Sequence, residues 1–515
     1  MKIIVPMSGI GKRFINAGYK DPKPLIIVDN KTIIEHVCNL FPKENDYIFI
    51  CNENHLKNTN MKAILKKIKP KSKIVSIKTH KFGPVYAVTK AFDLIKDDEE
   101  VIVSYCDYGT KWNYSKFLKT VRNKKSDGAI ACYKGFHPHM LGSDNYAFAK
   151  EKNNLLIKIK EKEPFTKNKM QEFASNGTYY FRKGKFVKKY FKKIIDKKDS
   201  INNEYYVSLV YNLLVKDKLK VLIYEIQNML QWGTPLDLQE YQKWSKYFKS
   251  KDIDKGKTIR QSKTINLLPM AGLGARFAKE GYKVPKPIIS INQKPMFVRA
   301  MQALPKAKKN IFICKKKHVK KFTLEKKIKK HFNNHQIVTL DKHTSGQAST
   351  CEIALKNQNK SDSVLVGTCD SSIVYSAKKY QKLINNNKNQ IIVFSFRNSL
   401  SVSKKPNDYS FLKVNKKNDV YDVSEKKKIS KKPYLDHAIV GIFYFRKIQY
   451  FFDGLKLLHK KNHKINHEFY LDSIIKLLAK KKYKIKVFEI NSYIGWGTPN
   501  DLRVFNYWKK YFSKN

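Results

Sequence analysis

Val5-Pro6-Met7-Ser8-Gly9-Ile10-Gly11-Lys12-Arg13-Phe14 opens the chain, and Leu268-Pro269-Met270-Ala271-Gly272-Leu273-Gly274-Ala275-Arg276-Phe277 returns 263 residues later. The repeat extends outward at the same offset. Gly18-Tyr19, Pro22-Lys23-Pro24 and Phe49-Ile50-Cys51 become Gly281-Tyr282, Pro285-Lys286-Pro287 and Phe312-Ile313-Cys314. Cys106-Asp107 returns as Cys369-Asp370. With one residue slipped, Glu161-Lys162 matches Glu425-Lys426, Gly177 matches Gly441, and Glu204-Tyr205-Tyr206 matches Glu468-Phe469-Tyr470. Trp232-Gly233-Thr234-Pro235 returns as Trp496-Gly497-Thr498-Pro499. A period this long is a duplicated domain, not a solenoid unit. The expected division is one domain over 1–248, a lysine-rich linker over 249–263 and a second domain over 264–515.

Each half alternates strand-like and helix-like segments. Segments 2–6, 46–51 and 100–105 are short apolar runs, while 33–40 and 85–95 have helical spacing. Such alternation predicts an α/β fold with a mostly parallel sheet flanked by helices, and ligands at the carboxyl ends of its strands.

Of the 515 residues, 42% are hydrophobic and 13% aromatic, enough for sizeable cores. The formal charge of +61 invites a nucleic-acid reading, but only nine of the 104 basic residues are arginine. Base readers generally use the arginine fork. Scattered lysines read instead as a solvated surface that attracts anions such as nucleotides. No nucleic-acid partner is expected. Seven cysteines without a CxxC pair argue against zinc and against a disulfide framework. No apolar run is long enough for a membrane span, and the N-terminal run is too short for a signal peptide. A soluble cytoplasmic protein is expected.

The glycine loop sets the chemistry. Gly9 and Gly11, like Gly272 and Gly274, let backbone N–H groups approach phosphates. Arg13 and Arg276 follow with a guanidinium fork. Lys23 and Lys286 lie between prolines that stiffen their loops. This pattern resembles the signature of the sugar-1-phosphate nucleotidyltransferase family, over nearly the whole of both halves. The resemblance implies two tandem Rossmann-like three-layer α/β/α domains with mixed, mostly parallel sheets. It implies an enzyme that joins the NMP of an NTP to a sugar-1-phosphate, or a similar phosphorylated small molecule, releasing pyrophosphate. A place in surface polysaccharide or lipopolysaccharide precursor synthesis follows by the same analogy.

By the same resemblance Arg13, Lys23, Arg276 and Lys286 are the catalytic cations. The four loop glycines bind the nucleotide, and Gln347 in Ser345-Gly346-Gln347-Ala348 reads its base. The first half has Phe82-Gly83-Pro84-Val85 there, so the halves are expected to differ in specificity. Asp107 and Asp370, each at the end of an apolar run, are the expected Mg²⁺ ligands. The family's second metal Asp, just before a late Gly-Thr, is absent from both halves. Glu161, Lys162, Asn176, Gly177 and Glu204, with Glu425, Lys426, Gly441 and Glu468, match the sugar-phosphate contacts; Val440 stands where the first half has Asn176.

Thr234-Pro235-Leu236-Asp237 and Thr498-Pro499-Asn500-Asp501 read as helix starts. Gly135-Phe136-His137-Pro138-His139 reads as a rigid loop in preference to a metal site. Two other readings compete. One is a regulatory module that binds nucleotide sugar with one or both halves inactive. The other is a GT-A-like glycosyltransferase, which Asp107-Tyr108-Gly109 and Asp370-Ser371-Ser372 disfavour because they lack Asp-x-Asp.

Overall fold

The computed structural model describes residues 1–142, 144–249 and 260–513, without the side chains of 260–262. The chain forms two compact units, Met1–Ser245 and Lys246–Asn515. Most of the expected linker, residues 250–259, lies outside the described residues. Its flanks do not: Pro235–Lys249 is helical, and a strand already runs over Arg260–Pro269.

In the first unit the order across the main sheet is Lys73–Ile77, Asp46–Asn52, Lys2–Met7, Val101–Ser104, Phe173–Phe181, Gly128–Tyr133, Val221–Glu225, Leu155–Glu161, Ala147–Lys152. The first four strands are mutually parallel. Phe173–Phe181 runs against both its neighbours, and Leu155–Glu161 against its own. The other strands share one direction, so the sheet is mixed and mostly parallel, as the resemblance implied. The second unit repeats the order as His335–Leu340, Lys306–Lys315, Arg260–Pro269, Ser363–Val366, His437–Phe445, Ile391–Phe396, Ile485–Glu489.

Strand pleating divides each core in two. Ile3, Val5 and Met7 face one side, with Tyr47, Phe49 and Cys51 of the next strand. They meet Ile34 and Val37 of the helix Ile33–Cys38, Leu65 of Met61–Ile68 and Phe117 of Tyr114–Asn123. Ile4, Ile48 and Ile50 face the other side, against Val85 of Gly83–Thr89, Phe191 of Gly184–Asp196 and Leu214 of Val207–Lys216. Helices therefore cover both faces, which is why these strands read as continuous apolar runs. The second unit divides likewise, with Ile311 and Ile313 on one side and Phe312 and Cys314 on the other.

One expected helix is shorter than its spacing predicts. Segment 85–95 is α-helical only to Thr89 and then passes into a 3₁₀ turn, Phe92–Leu94. All seven cysteines are buried and free. No helix among the described residues is long and apolar enough to cross a membrane.

Candidate active site

Parallel pairing of Lys2–Met7 with Val101–Ser104, in the register Lys2↔Val101 and Ile4↔Val103, brings two carboxyl ends side by side. The glycine loop leaves the first strand and Asp107 follows the second. Gly11 caps the short helix Lys12–Ile15 in the left-handed region (φ 72°), and Gly274 does the same for Ala275–Lys279 (φ 64°). An L-side chain disfavours that conformation. Gly9 and Gly272 face open space: a Cβ on either would meet nothing within 4 Å.

Pro22 and Pro285 lead into one-turn 3₁₀ helices, Lys23–Leu25 and Lys286–Ile288, that carry the lysines under this loop. Lys23 Nζ donates to Asp107 Oδ2 at 2.7 Å, and Lys286 Nζ to Asp370 Oδ2 at 2.7 Å. These side chains keep between 21% and 25% of their surface exposed, so both pairs stay open to a ligand. Burial acts to lower the ammonium of Lys23, but the Asp107 carboxylate outweighs it and holds the group above its ordinary value. Lys286 behaves in the same way beside Asp370. Asp370 is held below the ordinary carboxylate range, because Lys286 outweighs burial. The charge of Arg13 reaches both Lys23 and Tyr206, and that of Arg276 reaches Lys286 and Tyr470.

The late Trp-Gly-Thr segment closes over the carboxylate. Trp232 N donates to Asp107 O at 3.2 Å and Trp496 N to Asp370 O at 2.7 Å. A Cβ on Gly233 would lie 2.9 Å from Asp107 Oδ2 and 3.3 Å from Gln231 Oε1. Gln231 thus presents an amide oxygen beside the Asp107 carboxylate; the equivalent position in the second unit is Gly495, paired with Ser371 as Gln231 is with Tyr108. The segments that follow are helix starts, with a full capping box between Thr498 and Asp501.

The loops at Phe82-Gly83 and Ser345-Gly346 share one backbone lock. Gly83 (φ 81°) and Gly346 (φ 131°) lie against the backbones of Tyr205 and Phe469. Tyr205 N donates to Phe82 O at 2.9 Å, and Phe469 N to Ser345 O at 2.7 Å. Gly83 therefore corresponds to Gly346, and Pro84 stands where the second unit has Gln347, the first residue of the helix Gln347–Leu355. In the first unit His80 bridges this loop to the glycine loop, its Nε2 3.0 Å from Ser8 Oγ. Its ring lies 4.9 Å from that of Tyr86, which is 5.0 Å from Phe82. Sequence reasoning missed His80; the signal was its return as His343 at the same offset of 263. His343 bonds Lys315 instead, at 2.5 Å.

At the position matched to the sugar-phosphate contacts, Lys162 (φ 61°) is fixed by its N–H to Tyr146 O. Its Nζ lies 2.5 Å from Tyr206 Oη and 4.0 Å from Glu204 Oε2. Tyr206 in turn donates to Glu204. Glu161 accepts from Ser208 at 2.6 Å, and burial pushes its carboxyl up to about 7. Asn176 is 2% exposed and its Nδ2 has no partner among the described residues. Gly177 (φ 96°) bonds Tyr105 through its carbonyl, and a Cβ there would press on the Tyr105 ring at 3.1 Å.

The second unit brings the same positions together differently. Glu425 is held by Lys476, His463 and Ser473. Lys426 Nζ turns to Asp408 O at 2.8 Å. Gly441 lies over Thr368, and Glu468 acts on Tyr470 as Glu204 does on Tyr206. His137 and His139 lie outside the site, both buried; His139 Nε2 is 3.0 Å from Tyr133 Oη, in a cluster with Tyr146.

The family model described as nucleotidyl transferase matches residues 2–218 and again residues 267–509. Among solved structures, the nucleoside-diphosphate-sugar pyrophosphorylase of Vibrio cholerae RC9 is similar at 20% identity, covering 47% of this chain and 99% of its own, with a TM-score of 0.40. The inositol-1-phosphate CTP transferase of T. maritima is similar at 16% identity over 46% of this chain and 90% of its own (TM-score 0.37). UTP-bound UGPase from Acinetobacter baumannii has the same identity and coverages, with a TM-score of 0.36. No curated protein matches the chain. With its family model matched twice in succession over most of its length, the chain belongs to the nucleotidyl transferase family as a tandem duplication.

Proposed function

We propose that the chain transfers the NMP of an NTP to a sugar-1-phosphate or similar phosphomonoester. An oxygen of the acceptor phosphate attacks the α-phosphorus. The bond to the bridging oxygen breaks, pyrophosphate leaves with that electron pair, and a nucleotide-activated product forms. The observation that carries this reading is the Lys–Asp pair, 2.7 Å in each unit, set beneath a glycine loop with open space above Gly9 and Gly272.

The obstacle is electrostatic, since two polyanions must meet. Arg13 is assigned to the triphosphate, Lys23 to the charge growing at the α-phosphate, and Lys162 to the acceptor phosphate. Arg276 and Lys286 have the first two roles in the second unit, and Glu204 accepts from acceptor hydroxyls in the first. Backbone N–H groups at Gly9, Gly11, Gly272 and Gly274 orient phosphates, and Gln347 reads the base in the second unit.

The residues present fit Mg²⁺. No group of three or more His, Cys, Asp or Glu stands together among the described residues. Mg²⁺ asks the protein for only one or two carboxylates and takes its other ligands from water and substrate phosphates. Asp107 and Asp370 would hold it, and it would supply charge neutralisation between the phosphates. The boundaries are proposed as 1–248 and 264–515, with the reaction cytoplasmic and its product destined for a surface polysaccharide.

The test incubates purified chain with Mg²⁺, each common NTP and a panel of sugar-1-phosphates, reading pyrophosphate and product mass. Product that disappears in Asp107→Asn or Asp370→Asn supports the reading. Nucleotide binding without product from any pair would favour a nucleotide-sugar-binding module.

A further inference from the structure

The two acceptor pockets have diverged in a consistent direction. Glu425 is engaged by three side chains: Lys476 Nζ at 2.6 Å, His463 Nε2 at 3.0 Å, and Ser473 Oγ. At the offset of 264 that joins Glu161 to Glu425, these three positions are Asn212, Asp199 and Leu209 in the first unit. None of them donates to Glu161. Asn212 is bonded to the backbone of Ile159 at both ends of its amide, Asp199 is exposed, and Leu209 is apolar. Ser208, which does donate to Glu161, becomes Asp472.

The pocket strand changes with it. Asn176 of Phe173–Phe181 becomes the buried, aliphatic Val440 of His437–Phe445, which shares its face of the sheet with Ile442. The first unit therefore keeps a carboxylate with spare acceptor capacity and an unpartnered amide N–H₂. The second has an internally neutralised carboxylate and, in place of the amide, the aliphatic Val440. A site built to bond a hydroxyl rejects a ligand without it, and an aliphatic side chain gives a hydroxyl nothing in return.

We propose that the two modules act on different acceptors. The first takes a phosphorylated sugar whose hydroxyls bond Glu161 and Asn176. The second takes a phosphomonoester whose body carries few hydroxyls, and Glu425 there is a structural ion pair. This rests on the nucleotidyl-transfer reading above.

The test uses the full chain with one module silenced at a time. Asp370→Asn leaves the first module and Asp107→Asn the second. Each is assayed with every NTP and Mg²⁺ against glucose, galactose and mannose 1-phosphates, and against propyl, ethanolamine and choline phosphates. The expected result is at least a hundredfold preference in kcat/KM for sugars in the first chain and for the short phosphomonoesters in the second. Glu425→Gln should lower the second module's melting temperature and leave its acceptor KM within threefold. Turnover of sugar phosphates by the Asp107→Asn chain, with KM within tenfold of the first module's, overturns the proposal while leaving nucleotidyl transfer standing. Absence of product from any pair overturns nucleotidyl transfer instead. Saturation-transfer NMR with glucose 1-phosphate then decides the acceptor question: the signal should vanish in Glu161→Gln and persist in Glu425→Gln, and loss in both overturns the proposal.

Discussion

Lys23 Nζ sits 2.7 Å from Asp107 Oδ2, so the cation assigned to the α-phosphate and the carboxylate assigned to the metal neutralise each other in the unliganded chain. On the proposed function, Mg²⁺ and phosphate would give each a new partner of the right sign, exchanging one ion pair for two. The pair also holds the half-buried Lys23 ammonium above its ordinary value. In an Asp370→Asn background, Lys23→Ala is expected to lower kcat about a hundred- to a thousandfold. Lys23→Arg should recover little, because the planar fork does not fit a stem held between Pro22 and Pro24. Steady-state pyrophosphate release measures both.

Glu161 gives a pH signature. Burial pushes its carboxyl up to about 7, opposed by Ser208 and Lys162 and reinforced by Glu204. Only the ionised form accepts from an acceptor hydroxyl at both oxygens, so the first module's acceptor KM should fall as pH rises from 6 to 8. Glu161→Gln should flatten that limb. The folded state holds the proton more tightly than the unfolded chain, so this group's contribution to stability is lost as pH rises from about 4.5 to about 7. Thermal melts of the Gln variant should lose that slope. Glu425 should show neither limb: Lys476, Ser473 and His463 outweigh burial and keep its carboxyl below the ordinary value.

The two lock glycines should tolerate no side chain. A Cβ on Gly83 would lie 2.9 Å from Tyr205 N and O, and one on Gly346 2.5 Å from Phe469 N, with φ positive at both. The obstacle is backbone, which cannot rotate aside. Gly83→Ala and Gly346→Ala are each expected to cost about 3 kcal/mol or more of the module's stability, read by chemical denaturation. The same change at Gly9 meets open space. It should leave stability within about 0.5 kcal/mol and weaken nucleotide binding instead.

What the sequence disclosed follows the range of the interactions. The glycine loops and the strand ends were legible because their signals are local: a φ only glycine favours, an apolar run closed by Asp107. The duplication was legible because it copies whole motifs in order, with a single one-residue slip between them. The ion pairing of Lys23 with Asp107 joins residues 84 apart, so each was placed in the site only through the resemblance. The neutralisation of Glu425 was not legible at all. Its partners lie 38, 48 and 51 residues on, and only the packing of the helix Leu471–Lys480 brings two of them to it. The base loops differ in composition, yet Gly83 and Gly346 make the same backbone lock, which composition alone conceals. The helical spacing of 85–95 overran the true helix because Ala91 and Ile95, the buried residues past Thr89, flank a 3₁₀ turn and not a helix.

The second metal Asp that the resemblance leads one to expect should be restorable in one module and not in the other. Gln231 Oε1 and Asp107 Oδ2 both lie within 3.3 Å of where a Cβ on Gly233 would stand, so the side chains at 231 and 107 border one space. In an Asp370→Asn chain, Gln231→Asp is expected to tighten Mn²⁺ binding about tenfold, measured by electron paramagnetic resonance, since added ligand charge raises affinity. The equivalent change in the second module is Gly495→Asp. There a Cβ would lie 2.9 Å from the Tyr493 ring, and that ring is stacked on Phe396 with centroids 4.4 Å apart. The ring cannot withdraw without unstacking. Gly495→Asp in an Asp107→Asn chain should therefore lower the melting temperature and bring no gain in Mn²⁺ affinity. A gain there without destabilisation would mean that the aromatic stack gives way, and that the second module lacks its carboxylate for reasons other than space.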